Sequence, residues 1–264
     1  MLTEAKKELK FIFLSIKYNL AREMTNKVAF LTNIIFMILN NAAFLIEWII
    51  FFSIKDNIGG YYLKDVILLW ALASGTYAIC FIFFGAVQEL PNLIMNGKID
   101  SFLVQPKNVL LSILVSKTKI SAIGDLMYSY ILLFIYGISI KNFLLFTLFI
   151  ITGGIIVTAI AVIFGSLAFY ITKADTITGN IMGTMLNFGT YPDSIFKGAI
   201  RLLFYTIIPI GFSIYMPLYI LKDFNIISFI IVISYTVLIV LLGFLIFYKG
   251  LKKYSSGNLM SARV

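Results

Sequence analysis

Two carboxylates stand inside long apolar runs of this chain, Glu47 and Asp125, together with a pair of amides, Asn40 and Asn41. An ionised or amide group in lipid needs a partner, a wet cavity or an interface. Glu47 is followed by Trp48, and two readings fit it. It lines a pathway, or it sits near the outer membrane surface beside an aromatic belt. Asn40 and Asn41 fall near the middle of the same run, as interhelical glue or as the wall of a path. Asp125 lies about one turn inside another run, where pairing with Lys117 or Lys119, or simple placement at the interface, fits better than a proton relay. The single cysteine, Cys80, is inside a third run and has no second thiol, so it reads as a reduced core residue. There is no histidine, hence no His-based metal site, triad or proton shuttle. No GxxxxGK[ST] loop, paired carboxylates or metal-ligand cluster occurs in any loop. The chain is therefore expected to be no enzyme by itself. Any uphill transport must draw on a partner or an ion gradient.

The elements that position these groups are membrane helices. The chain has 264 residues, is 61% hydrophobic and only 12% charged, about half the charge of a soluble domain. About 20 apolar residues cover the hydrocarbon core of a bilayer, and six runs reach or approach that length. They are 28–53, 65–87, 118–138, 143–171, 175–190 and 225–249. The expectation is an all-α integral membrane fold, a single domain over 1–264. The first run is too long for a signal-peptide core and is expected to be retained. Residues 4–24 repeat Leu9, Ile12, Phe13, Ile16 and Leu20 at helical spacing, with Lys6, Lys10 and Lys17 mostly on another face. Two readings fit: an amphipathic helix in the membrane interface, or a helix packed on a partner protein. Residues 191–222 are apolar but broken by Pro209, Gly211 and Pro217, which predicts a re-entrant hairpin before the last span rather than two further crossings.

The net charge of +9 comes from 21 basic and 12 acidic residues. Basic residues gather on cytoplasmic flanks, which explains the surplus without nucleic acid. With the N-terminus inside, fifteen basic residues fall on cytoplasmic segments and six on outer ones. Both termini are therefore expected in the cytoplasm, in a multi-pass protein of the cell membrane. GNIMG, with Gly179 and Gly183 four apart, is a weak signal for close helix approach.

The loop from Gln88 to Lys117 is long beside its neighbours. Asn96-Gly97 reads as a helix stop, Ile99 to Val104 as a short helix, and Pro106 as its end. Apolar Leu93, Ile94, Ile99, Phe102 and Leu103 alternate with Glu89, Lys98 and Asp100. Such a helix either docks in a groove of another protein or lies on the inner leaflet.

At this loop the chain resembles the permease subunits of type-2 ATP-binding cassette (ABC) transporters, over nearly its whole length. Glu89 and then Gly97-Lys98-Ile99-Asp100-Ser101-Phe102-Leu103-Val104-Gln105-Pro106 are similar to that family's G-x-[LI]-[DE]-x-[LF]-L-x-x-P pattern. Tyr191-Pro192 with Ile195-Phe196 resembles the start of its outer hairpin. Lys253-Tyr254-Ser255-Ser256-Gly257 resembles the tail of a bacterial subgroup of uncharacterised export permeases. The resemblance implies six spans, an interfacial N-terminal helix, a cytoplasmic coupling helix within 89–106, and pairing with a second permease, identical or homologous. Separate ABC ATPase subunits would hold the ATP and magnesium; this chain would carry no cofactor. Glu89, Gly97, Lys98, Asp100, Phe102 and Pro106 would receive ATPase closure, although Lys98 stands where the family is commonly acidic. The second contact, at 171–175, is very short. Asn40, Asn41, Phe44, Phe84, Met182 and Asn187 would line a path between the permeases. The many Phe and Tyr fit two readings: a path for export of a hydrophobic or amphiphilic substrate such as a lipid, peptide or drug, or side chains that simply face lipid. A secondary transporter or channel is the alternative.

Overall fold

The computed structural model describes residues 2–137 and 139–255, with side chains from residue 6 onward. Ser256 and Gly257, on which part of the tail likeness rests, lie outside them, as does Arg263. Every element of length is a helix; the one β feature among the described residues is a bridge between Ile58 and Tyr61.

Helix α1, Leu2–Glu23, uses three stripes. Ile12, Ile16 and Leu20 pack on Ala78, Ile82 and Ala122. The buried Asn19 amide locks that stripe by donating to the Val115 carbonyl at 3.0 Å and to Thr118 Oγ1 at 3.4 Å. Leu9 and Phe13 remain exposed beside Lys6, Lys10 and Lys17. The helix is thus tied to the bundle and still presents an apolar and a basic edge outward.

Helix α2, Lys27–Ile54, starts at Asn26, whose side chain accepts from the Ala29 N–H at 3.1 Å. Helix α3, Leu63–Phe83, starts where Asp65 accepts from the Tyr62 N–H at 2.9 Å. Such caps satisfy N–H groups that the helix leaves open. The chain then passes through a 3-10 turn, Gly85–Glu89, into three short helices: α4 Leu90–Met95, α5 Asp100–Leu103 and α6 Val109–Leu114. Helix α7 covers Ser121–Tyr136 and ends at Gly137, whose φ of 101° is open to glycine at little cost. Helix α8 covers Ile140–Gly165 and is prolonged by a 3-10 turn to Phe169. Helix α9 covers Ala174–Phe188, α10 Ala199–Thr206, α11 Met216–Lys222 and α12 Ile226–Leu251.

Helix α3 is the hub, buried along almost its whole length against α7 and α8. Helix α12 packs on α8, and α2 packs on α7. Close approach needs small residues. A Cβ on Gly124 of α7 would lie 2.5 Å from the Ile34 carbonyl oxygen of α2, and one on Gly75 of α3 would lie 2.6 Å from Ile150 Cγ2 of α8.

Among the described residues, four helices are long and apolar enough to cross a bilayer: Lys27–Ile54, Leu63–Phe83, Ile140–Phe169 and Ile226–Leu251. The expected runs 118–138 and 175–190 contain helices of 16 and 15 residues, only about 24 and 22 Å long. In the apolar segment before the last helix, Ala199–Thr206 and Gly211–Lys222 meet at 75°. Pro209 stands in the break, where a proline ring and a missing N–H end a helix.

Candidate functional site

One cavity of about 530 Å³ lies between α2, α3, α7 and α9. Each helix contributes a stripe set by its 3.6-residue period. From α2 come Met37, Asn40, Asn41, Phe44, Glu47 and Trp48; from α3, Trp70, Ala73, Ser74, Tyr77 and Phe81; from α9, Gly179, Met182, Gly183, Leu186 and Asn187. Phe44 stacks on Trp70 with ring centroids 6.1 Å apart. At the end near loop 55–62, Trp48 meets Tyr191 edge-on at 5.6 Å. At the opposite end, Gln88, Lys119 and Ser121 line the wall. The cavity is a cleft open on one flank: Asn40, Phe44 and Glu47 of α2 and Gly179, Leu186 and Asn187 of α9 are all exposed.

The charged groups are distributed unevenly. Asn41 Nδ2 donates to Asp125 Oδ1 at 2.6 Å, so the amide is the direct partner of that carboxylate. The lysines considered for Asp125 make their direct contacts elsewhere, although the charge of Lys119 still acts on it. Lys117 pairs with Glu89, and Lys119 donates to Gln88 while lying 4.3 Å from the Phe81 ring centre. Glu47 has no hydrogen-bond or ion-pair partner among the described residues.

Five of the six residues expected to line a path come together here: Asn40, Asn41, Phe44, Met182 and Asn187. Phe84 does not. The backbone leaves α3 at Phe84 with φ −130° and ψ 39°, and its side chain lines a separate apolar crevice of about 180 Å³ with Leu110, Leu114, Ala159 and Phe244. The 65–87 span, expected to contribute Phe84, lines the cleft instead through Trp70, Ala73, Ser74, Tyr77 and Phe81, which the sequence did not single out. That helix is apolar on every side, so its sequence carries no stripe to read.

The 89–106 segment forms a compact base beneath the bundle. Leu90 and Ile94 of α4 are fully buried, and α4 packs on the 166–169 turn. Gly97, with φ 71°, turns the chain between α4 and α5. Asp100 accepts from the Tyr254 hydroxyl at 2.7 Å, and the Tyr254 ring meets Phe169 at 6.2 Å. Burial first, then the Asp100 carboxylate, raises the Tyr254 hydroxyl above the usual phenol range, so it stays a donor. Phe102 is half-buried, whereas Lys98 and Pro106 are exposed. Helix α6, also unforeseen, is buried at Leu110, Ile113 and Leu114.

A second unforeseen cluster closes the other end. The buried Asp193 accepts from Tyr61 and Tyr219 hydroxyls, each at 2.7 Å on Oδ1, and Arg201 approaches Oδ2 at 3.6 Å. Lys222 pairs with Asp65 at 2.7 Å. Burial, then the bonds to Tyr219 and Asp193, raises the Tyr61 hydroxyl far above its ordinary range. The available signal was an aspartate, Asp193, set directly after Tyr191-Pro192 in an otherwise apolar segment.

Among known proteins, no curated protein and no solved structure matches this chain. A family model described as ABC-2 family transporter protein matches residues 38–257. The chain belongs to that family, as the membrane component of an ABC transporter whose ATP hydrolysis resides in partner ATPase subunits.

Proposed function

We propose that this chain pairs with a second permease, identical or homologous, and that the cleft between α2 and α9 is half of an export path for a hydrophobic or amphiphilic substrate. The observation that carries this reading is the open flank of the cleft. Asn40, Glu47 and Asn187 are exposed there, the first two on a helix whose outer surface is otherwise mostly Leu, Ile and Phe. A carboxylate facing lipid costs about 2.5–3.5 kcal/mol at the middle of a span and less toward its end, where Glu47 stands. A second protein wall or a water-filled path removes that cost.

The short helices α7 and α9 complete six crossings in this reading. They are flanked by the longer α2, α3 and α8, so their ends meet protein as well as lipid. The bent α10–α11 pair is the re-entrant hairpin on the outer side, and α1 rests its Leu9/Phe13 edge in the inner leaflet with its lysines at the headgroups. Both termini are cytoplasmic by the basic-residue bias. The base formed by α4, α5 and the 166–169 turn receives the ATPase subunits. ATP-driven closure of those subunits then favours one arrangement of the permease pair over another.

The test is reconstitution of the permease pair with its ATPase in liposomes. ATP-dependent movement of an amphiphile, lost on omission of the ATPase, is the expected result. Uphill transport by the purified chain alone, without nucleotide, would overturn the reading and favour a secondary transporter.

A further inference from the structure

We propose that Glu47, set among the aromatic side chains of the cleft, makes this path a binding site for amphiphilic organic cations. The inference rests on the reading of the cleft as a substrate path and names the substrate class.

The cleft contains three ionisable groups that lipid would not tolerate bare. Two are answered from within the chain: Asp125 by the Asn41 amide at 2.6 Å, and Lys119 by Gln88 and the Phe81 ring. Glu47 alone lines the cleft without a partner among the described residues. It stands about 9 Å along α2 from Asn41, well separated from the lysine at the far end. Its helical neighbours on the same wall are aromatic, Phe44 one turn before and Trp48 directly after, with Trp70 stacked on Phe44 and Tyr191 against Trp48. A carboxylate among ring faces is the chemistry that receives an organic cation. The carboxylate supplies the counter-charge, and the rings offer their negative faces and apolar area. An organic anion would meet Glu47 with no compensating cation at that level.

The chain carries its own reporter, because both of its tryptophans, Trp48 and Trp70, line the cleft. The experiment titrates the tryptophan emission of the full-length chain in detergent with tetraphenylphosphonium, and separately with tetraphenylborate, an anion of nearly the same shape. Saturable change with the phosphonium and none with the borate is expected. Glu47→Gln should weaken phosphonium binding at least tenfold, Glu47→Asp only a few-fold, and Glu47→Lys should shift preference toward the borate. Equal binding of both ions, no saturable change with the phosphonium, or an unaltered affinity in Glu47→Gln would overturn the proposal. The two readings fail separately. Glu47-dependent binding without ATP-dependent transport by the complex removes the export reading and leaves the cation site. ATP-driven export of a neutral amphiphile, with no phosphonium binding, does the reverse.

Discussion

Asp193 shows how one side chain ties three distant segments. It is 2% exposed and takes two tyrosine hydroxyls, from the α2–α3 connection and from α11, on a single oxygen. Hydrogen bonds to a charged group contribute about 1.5–3 kcal/mol each. Asp193→Ala leaves both hydroxyls without that acceptor and Arg201 without its counter-charge. A loss of about 3 kcal/mol is expected, read as a lower thermal unfolding midpoint in detergent. Asp193→Asn keeps an acceptor oxygen and should fall between. Because Tyr191, which meets Trp48 at one end of the cleft, lies two residues away, Asp193→Ala should also loosen that contact. Faster alkylation of a cysteine placed at Thr190 would report it, and an unchanged rate would separate the cluster from the cleft. Native Cys80 is buried and adds no background.

At the scale of helices, glycines in two short helices do opposite things. Gly124 is a contact: a side chain there would strike the α2 backbone at Ile34. Gly124→Ala is expected to cost about 1–3 kcal/mol through overpacking, and the α2 wall of the cleft should move with it. Gly179 and Gly183 of α9 have nothing within 4 Å of an added Cβ. Within this chain they mediate no close helix approach, and both line the cleft. Gly183→Leu should therefore leave thermal stability within about 0.5 kcal/mol of the parent. In the reconstituted transporter it should cut transport several-fold by filling the path; a variant that unfolds would instead make Gly183 a packing residue. This contrast also shows what the sequence could carry. Asn40, Asn41, Phe44, Met182 and Asn187 were named by position, from the spans that the family resemblance implies line a path, and the structure brings these five to one cleft. Trp70 and Tyr77 were not legible, because α3 is apolar all round and its inward stripe is fixed only by its neighbours. The Asp193 cluster was hidden for another reason: its three members lie 26 to 158 residues apart, and no local pattern links them.

For the whole molecule, the base and the cleft are two ends of one packed body. Leu90 of α4 lies under α8 at Gly165, and Asp100 is bonded to Tyr254 just beyond α12. If the base receives the ATPase as proposed, a push on it would pass to α8 through Leu90 of α4 and toward the end of α12 through the Asp100–Tyr254 bond. The charged groups at the surface of that base include the exposed pair Glu89–Lys117 and Lys98. Surface pairs contribute little to stability, so Glu89→Lys should leave membrane insertion and unfolding unchanged. If the base meets the ATPase as proposed, the same variant should lower substrate-stimulated ATP hydrolysis several-fold in the reconstituted complex. Unaltered stimulation would remove Glu89 from that contact. Such a contact also requires the base to face the cytoplasm. A cysteine at Lys98 should resist a membrane-impermeant maleimide in intact cells and react after permeabilisation, whereas one at Lys55, at the far end of α2, should react from outside. The opposite pattern would place the ATPase site where no nucleotide is found and would end the proposed mechanism.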